Sequence, residues 1–337
     1  MYDSALWQPS ANLETLRKRA RLLQCIRTFF EAREVMEVDT QSLSLASITD
    51  PHIEVLTCEA RTQGQNLIYY LQTSPEFAMK RLLCAGSGSI YQLGKVFRAE
   101  EIGRRHSIEF TMLEWYRVGL DHWQLMDEIQ ALLKTIIKVV GLPKDTQLTK
   151  DEVLECERLS YQAAFLRHTG LDPLSCELSA LQEYAHQQTE YGLQETDRDT
   201  LLELVFASVV EPAIGQHLPC FIHSYPASQA ALATTHLNEQ GQEVAARFEL
   251  YWQGMELANG YHELTDPKEQ AKRFADDKRT RKHMGLADRQ FDERLISALE
   301  VGMPECSGVA LGVDRLLMLL TGQQHIEQVI PFAHQRA

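Results

Sequence analysis

The chain is short of several things, and each shortage excludes something. Its seven cysteines (Cys25, Cys58, Cys84, Cys156, Cys176, Cys220 and Cys306) include no C-x-x-C pair. Scattered thiols in odd number build no disulfide framework and offer no paired zinc spacing, so they read as reduced thiols of a cytoplasmic protein. No apolar run approaches the ~20 residues a membrane span requires. The opening MYDSALWQPSANLE has no basic stretch followed by an apolar one, so no secretory signal is read there. Basic residues are in deficit: 33 Lys and Arg face 47 Asp and Glu, for a net charge of −14. That balance argues against a general nucleic-acid-binding surface and leaves room only for a local basic groove. Internal repeats and low-complexity tracts are absent too. With 337 residues, 44% of them hydrophobic, the chain can bury a large core, as one domain or one domain with an insertion.

What is present reads as a mixed fold. Residues 12–33 have helical periodicity: Leu13, Leu16, Ala20, Leu23, Ile26 and Phe30 fall on one stripe, with Asn12 as cap. RKRAR (Arg17 to Arg21) is assigned to that helix's solvated side. NLIYYLQTSPE reads as a strand stopped at Ser74-Pro75, because proline gives no amide to a ladder. MKRLLCAG is a short helix closed by Gly86. SIYQLGKVFRAE and IEFTMLEWYRV have strand composition around the charged EIGRRHS, which predicts a long antiparallel hairpin turning near Gly103. Helical pattern runs from His122 to about Thr200, with the polar PKDTQLTKDEVLECERLS read as a linker or excursion. Further along, residues 198–212 form a helix and PCFIHSYP a buried strand. VAARFELYWQGMELANGYHEL gives two strands turning at Gln253-Gly254. DPKEQAKRFADDKRTRKHMG and DERLISALEVGMP are helices, and SGVALGVDRLLMLLTG is a strand, a glycine turn and a helix. Strands at both ends with helices between predict an α+β domain around a largely antiparallel sheet.

Four clusters can carry chemistry. In FRAEEIGRRHSIEFTMLEWY, Arg98 and Glu100 face one side of a strand at i and i+2, and Phe110, Met112, Glu114 and Tyr116 share a face of the return strand. Arg98, Glu100, His106 and Phe110 suit a nucleotide, the arginine on a phosphate and the ring on a base; the same residues also suit a surface hairpin with paired charges. In RFELYWQGMELANGYHEL, Glu249, Glu256 and Glu263 recur every seven residues across a turn. Converging carboxylates bind Mg²⁺, which takes oxygen ligands and bridges phosphates, or one of them faces a substrate ammonium. Solvated strand carboxylates are the alternative, weakened by the small residues of Ala258-Asn259-Gly260. In SGVALGVDR, Arg315 lies in the first turn of a helix, an unfavourable place for a cation unless it meets a nucleotide. In TSPEFAMKR, Glu76 follows a forced turn, aimed into the same cleft or serving only the helix N-terminus.

In order along the chain, these segments resemble the class II aminoacyl-tRNA synthetases. Helix 12–33 with EVMEVDT is similar to motif 1, FRAEEIGRRHSIEF to motif 2 and ALGVDR to motif 3. TSPEF, EFTMLEWY and ELANGYHEL narrow the resemblance to the lysyl subgroup. It covers nearly the whole chain and implies a single catalytic domain over 1–337 with a helical excursion at about 120–215. Motif 1 begins within the first dozen or so residues, so no anticodon-binding OB domain is expected. Within the subgroup the chain looks like the stand-alone paralogues that modify elongation factor P, and Ala310 stands where lysyl-tRNA synthetases have glycine. Two departures concern motif 1, where Glu34 and Gln41 replace a glycine and a proline. A third is Ser107, an asparagine in the family.

The resemblance implies ATP and Mg²⁺ as cofactors, (R)-β-lysine as substrate, elongation factor P rather than tRNA as acceptor, a homodimer and no membrane. Catalytic roles fall to Arg98, Glu256 and Arg315. The ATP site would comprise Arg98, Ala99, Glu100, His106, Ser107, Phe110, Glu256, Leu257, Gly312 and Arg315. Ser74, Pro75, Glu76, Tyr116, Asn259, Glu263 and Ala310 would hold the amino acid, and Glu249 and Glu256 the metal. The alternatives are a truncated lysyl-tRNA synthetase acting on tRNA and, in another class, a non-catalytic regulatory paralogue. The latter is expected to have lost Arg98, Glu256 or Arg315. A synthetase-fold enzyme using ammonia is disfavoured, since an aspartate pocket needs a cation where TSPE and GYHEL supply carboxylates.

Overall fold

The protein is described by a computed structural model covering residues 7–99, 102–143 and 155–337. The chain begins with α1 (Leu13–Glu31), β1 (Met36–Glu37), β2 (Leu43–Ser44), β3 (Thr57–Thr62), β4 (Gln65–Leu71), α2 (Glu76–Cys84), β5 (Ile90–Phe97), β6 (Glu109–Val118) and α3 (His122–Val140). Next come β7 (Glu157–Ser160), α4 (Tyr161–Thr169), α5 (Leu178–Thr189), α6 (Arg198–Val205) and a π-helical turn at Phe206–Val210. The last part runs β8 (Cys220–Pro226), β9 (Thr235–Leu237), β10 (Glu243–Tyr251), β11 (Glu256–His262), α7 (Pro267–His283), α8 (Glu293–Val301), β12 (Cys306–Gly312) and α9 (Val313–Thr321).

Among the described residues the main sheet has nine strands in the order β1-β5-β6-β12-β11-β10-β8-β7, with β9 paired to β10. Its central pairs are antiparallel, and parallel pairs occur only at the two edges, β1 with β5 and β7 with β8. A small sheet, β2-β4-β3, stands beside it. The expected α+β architecture, an antiparallel sheet flanked by helices, is what forms. The hairpin of β5 and β6 closes as expected near Gly103, which bridges His106. The edge strand β7 lies inside the stretch read as a linker. Its four residues, ERLS, are too few to announce a strand, and each pairs with a residue of β8 63 positions further on, Glu157 with Cys220. Residues 144–154 of that stretch are outside the described residues.

One sheet face is apolar. Tyr91, Trp115, Phe248, Val309 and Leu311 point from successive strands into a core shared with α1, α3 and α9. The other face is covered at its two ends: α4, α5 and α6 gather over β8 and β10, while α2, α7 and α8 gather over Ile90, Tyr116 and Cys306. Between those two clusters lies the site.

The helix α1 corrects one expectation. Asn12 caps it as predicted, accepting from the Thr15 amide at 2.8 Å. The buried face, however, is Thr15, Arg19, Leu22, Cys25, Ile26, Phe29 and Phe30, and Leu13 is 62% exposed. The reason is Arg19. It was assigned to a solvated run, yet it is buried, donating to Thr111 Oγ1 at 2.6 Å and to the Val329 carbonyl at 3.2 Å and pairing with Asp314. The second carboxylate oxygen of Asp314 accepts from the Thr111 amide at 2.7 Å. A buried ion pair is tolerated only when its remaining groups are satisfied. This one is, and it ties α1, β6 and α9 together. Glu34, just after the helix, sits at φ 56°, the left-handed region that favours glycine. Here its side chain replaces the glycine of motif 1.

Candidate active site

Register across the central strands assembles the site. Gln92, Glu114, Ala310, Asn259 and Glu249 are successive partners on β5, β6, β12, β11 and β10, and so form one row across the sheet. The neighbouring row is Ile90, Tyr116, Gly308, Tyr261 and Arg247. Period-two alternation puts Phe110, Glu114 and Tyr116 of β6 on this same face, while Trp115 goes to the core.

At one end the carboxylates are buried. Glu114 and Glu263 are each 2% exposed. Glu114 accepts from Ser74 Oγ and from the Tyr116 hydroxyl, both at 2.7 Å, and Ser74 Oγ in turn accepts the Glu76 amide at 3.0 Å. The Lys80 ammonium lies 2.7 Å from Glu76 Oε1 and 2.6 Å from Glu263 Oε2. Burial, and then the nearby Glu76 charge, push Glu114 up to about 8. Burial lifts Glu263 to about 7 against the pull of Lys80. Lys80 stays above its ordinary value although burial opposes its charge, because Glu263 and Glu76 outweigh that cost. Gly308 makes this packing possible: a β-carbon there would collide with Glu263 Oε1 and the Tyr116 ring. The Asn259 Oδ1, in the adjacent row, is buried and accepts no hydrogen bond, which suits a donor arriving with a ligand.

The other end is more open and rich in arginine. The Arg98 guanidinium stands 5.3 Å from the centre of the Phe110 ring. Arg315 donates to the Glu256 carbonyl at 3.0 Å and to the Arg105 carbonyl at 3.3 Å; its Nη2 is 2.6 Å from His106 Nε2, and its Nη1 is 3.7 Å from the Glu256 carboxylate. The Glu256 side chain keeps 40% of its exposure. Burial of its carboxyl and then the Glu249 charge push it up to about 7, with Arg315 and Arg98 pulling the other way. Glu249 accepts from Tyr225 at 2.7 Å, from Tyr251, and from Arg247 at 2.5 Å.

Of the residues singled out in the sequence, the fold brings Ser74, Glu76, Tyr116 and Glu263 into one pocket, with Asn259 and Ala310 in the adjoining row. It brings Arg98, His106, Glu256 and Arg315 together at the other end, with Glu249 beside Glu256. Pro75 caps α2, Gly312 caps α9, and Ala99 is held by its amide to the Glu54 carbonyl at 2.9 Å. Leu257 sends its side chain into the core, so only its main chain borders the site. Ser107 faces the C-terminal segment, sharing a small cavity with Ile326 and Ile330. Glu100 lies outside the described residues. Among the described residues no group of three or more His, Cys, Asp or Glu side chains is placed to hold a metal ion. The carboxylates of Glu249 and Glu256, neighbours on β10 and β11, nonetheless supply oxygen donors of the kind a divalent cation takes. Two pocket residues were missed. Glu114 was visible in the alternation of β6 and was given no role. Lys80 was hidden because α2 was begun at Met79; the helix starts at Glu76, which puts Lys80 one turn above it at i+4.

An arginine-bearing antiparallel hairpin, a strand–glycine–helix element with a second arginine, and a sheet face between them define a class II synthetase catalytic site. A family model described as tRNA synthetases class II (D, K and N) matches residues 5–336, and the chain belongs to that family. Among individual proteins, the chain is 52% identical over 336 residues to the elongation factor P–(R)-β-lysine ligase of Pseudoalteromonas translucida, covering 98% of this chain and 99% of the relative. Proteins of the same name from Vibrio cholerae and Yersinia enterocolitica are each 48% identical, the first over 98% of both chains and the second over 100% of both.

Proposed function

We propose that this chain is an ATP-dependent ligase that activates (R)-β-lysine as its adenylate and transfers it to the ε-amino group of a lysine of elongation factor P. The relatives' names support this reading. The observation that carries it is the cluster of three carboxylates, the buried Glu114 and Glu263 and the partly buried Glu76, on a sheet face that presents Arg98 and Arg315 further along its strands. Glu114 and Glu263, buried and with raised pKa values, call for cationic partners, and a diamino acid brings two.

The substrate carboxylate, held toward Arg98, attacks the α-phosphorus; the bond to the bridging oxygen breaks and pyrophosphate leaves. The acceptor amine then attacks the acyl carbon, AMP departs with the bonding electrons and the amine sheds a proton. No protein nucleophile is required, because positioning and preorganised charge do the catalysis. Arg98 neutralises the α-phosphate, Phe110 and Arg315 enclose the adenine, and His106 meets the outer phosphates. Glu100 accepts from the adenine amino group; Ala99, Ser107, Leu257 and Gly312 complete the ATP site. Magnesium held by Glu249 and Glu256 would neutralise phosphate charge when bound. The substrate's terminal ammonium lies among Glu114, Glu263 and the Tyr116 hydroxyl, with Asn259, Ser74 and Glu76 nearer its other amine. Ala310, between Glu114 and Asn259, sets the room beside the carbon that distinguishes α- from β-amino acids.

The functional unit in this reading is a cytoplasmic homodimer. No helix of the described residues is long and apolar enough to cross a membrane. The solvent-facing Leu13 (62% exposed) and Met36 (50%) offer apolar surface for a second copy. The deciding experiment is a transfer assay offering elongation factor P and tRNA side by side, each with (R)-β-lysine and α-lysine. Label on the protein from (R)-β-lysine is the expected outcome; label on tRNA alone would overturn the acceptor.

A further inference from the structure

Lys80 is the least expected group in the pocket. It is 1% exposed, on a helix whose neighbours Met79, Leu83, Leu295 and Leu299 are apolar. An isolated ammonium there would be costly, and its retention requires paired charge. Its Nζ lies between Glu76 Oε1 at 2.7 Å and Glu263 Oε2 at 2.6 Å, so one cation bridges a carboxylate of α2 and that of the residue just after β11. No step of the proposed reaction uses it. Yet both its partners are residues assigned to the substrate.

The geometry points to Lys80 as a positioning and specificity residue: a resident ammonium that fixes the spacing of Glu76 and Glu263 and sets the net charge of the pocket. Once a bound dication draws the protons off Glu114 and Glu263, three carboxylates less one ammonium leave two negative charges, matching the two amines of a diamino acid whose own carboxylate is taken up by Arg98. Without Lys80 the pocket would carry one charge too many, and two like-charged acids would separate or take up a proton. Either change unmakes the site for a dication. This inference rests on the diamino-acid reading above.

The test is ATP–pyrophosphate exchange by the full-length chain with (R)-β-lysine, together with inhibition by 3-aminohexanoic acid, which lacks the terminal amine. Lys80→Met keeps the length and removes the charge. It is expected to raise the KM for (R)-β-lysine about 10–100-fold, the cost of disturbing charge-assisted partners. The KM for ATP should stay within about threefold, and the preference for the diamine over the monoamine should shrink by a similar 10–100-fold. Lys80→Arg, which keeps the charge, should restore most of that preference while still raising the KM. A Lys80→Met protein that melts earlier but keeps the wild-type diamine preference would reduce Lys80 to a structural ion pair and overturn the inference. Should Lys80→Met fail to fold, Lys80→Arg decides: its longer guanidinium must displace Glu76 and Glu263, so a wild-type KM for (R)-β-lysine would refute the spacing. If the wild-type chain exchanges pyrophosphate with no diamino acid, the functional reading itself has failed.

Discussion

The two ends of the crevice solve opposite electrostatic problems with the same residue types. At the amine end the carboxylates are buried, prearranged by Ser74, Tyr116 and Lys80, and still short of positive charge. At the nucleotide end Arg315 and Glu256 remain partly exposed, and Arg315 is held by main-chain carbonyls and His106. In the proposed reading the first end is prearranged for cations. The second offers cations whose present contacts a polyphosphate can replace. Burial is what separates them: a deep carboxylate row selects by charge count, whereas an open arginine cluster supplies strength to whatever anion docks.

Substitutions should therefore separate by end. Arg98→Ala removes a charge partner of the transition state and should cost about 10²–10³-fold in adenylate formation. The fold should persist, and wild-type pyrophosphate exchange would contradict the assignment. Glu114→Gln acts at the other end. Loss of a charged hydrogen-bonding partner, about 1.5–3 kcal/mol, should appear as a KM for (R)-β-lysine raised about 10–100-fold with kcat much less affected. Ala310 lies between the ends. Ala310→Gly should gain activity with α-lysine by about tenfold, since one methyl in a pocket discriminates by ~1–3 kcal/mol; an unchanged isomer ratio would remove Ala310 from the specificity argument.

A pH series sharpens the contrast without substrate. Glu114, pushed up to about 8, keeps in the folded protein a proton that the unfolded chain releases near 4.5. The folded state thus binds more protons across that window, and stability falls as pH rises through it. On the opposite sheet face His122 and His223 are pushed down to about 4, by burial first, from an ordinary 6.5. They bind fewer protons when folded, so stability also falls as pH drops below 6.5. Melting temperature should peak near neutral to slightly acid pH, and Glu114→Gln should lessen the alkaline fall without abolishing it, since Glu263 and Glu256, both raised to about 7, share that limb. The smallest effect belongs outside both ends: Glu34→Gly relieves a left-handed backbone and should stabilise the fold by at most about 1 kcal/mol without altering exchange kinetics.

Much of this was legible in the sequence, for local reasons. The Asn12 cap, the hairpin at Gly103, the turn at Gln253-Gly254 and the strand–glycine–helix at Gly312 are each written within a few residues. Motif residues such as Arg98 and Arg315 could be named before their surroundings were known. The phase of α1 was not legible, because two overlapping stripes of its residues are apolar enough to be buried and Arg19 decides between them through a partner almost 300 positions away. Nor was β7, whose identity as a strand comes entirely from β8.

By itself, then, the amino-acid order determined the kinds of elements, their caps and turns, and which side chains were chemically able to serve ATP and a diamine. Tertiary structure alone decided that Glu114, Ala310, Asn259 and Glu249 stand in one row, that Lys80 is enclosed by two acids, and that Arg19 is a core residue. The physical reason is that caps and turns are settled by hydrogen bonds between near neighbours. A charge's environment is settled by desolvation and by partners brought from other strands, and neither exists until the sheet has chosen its register.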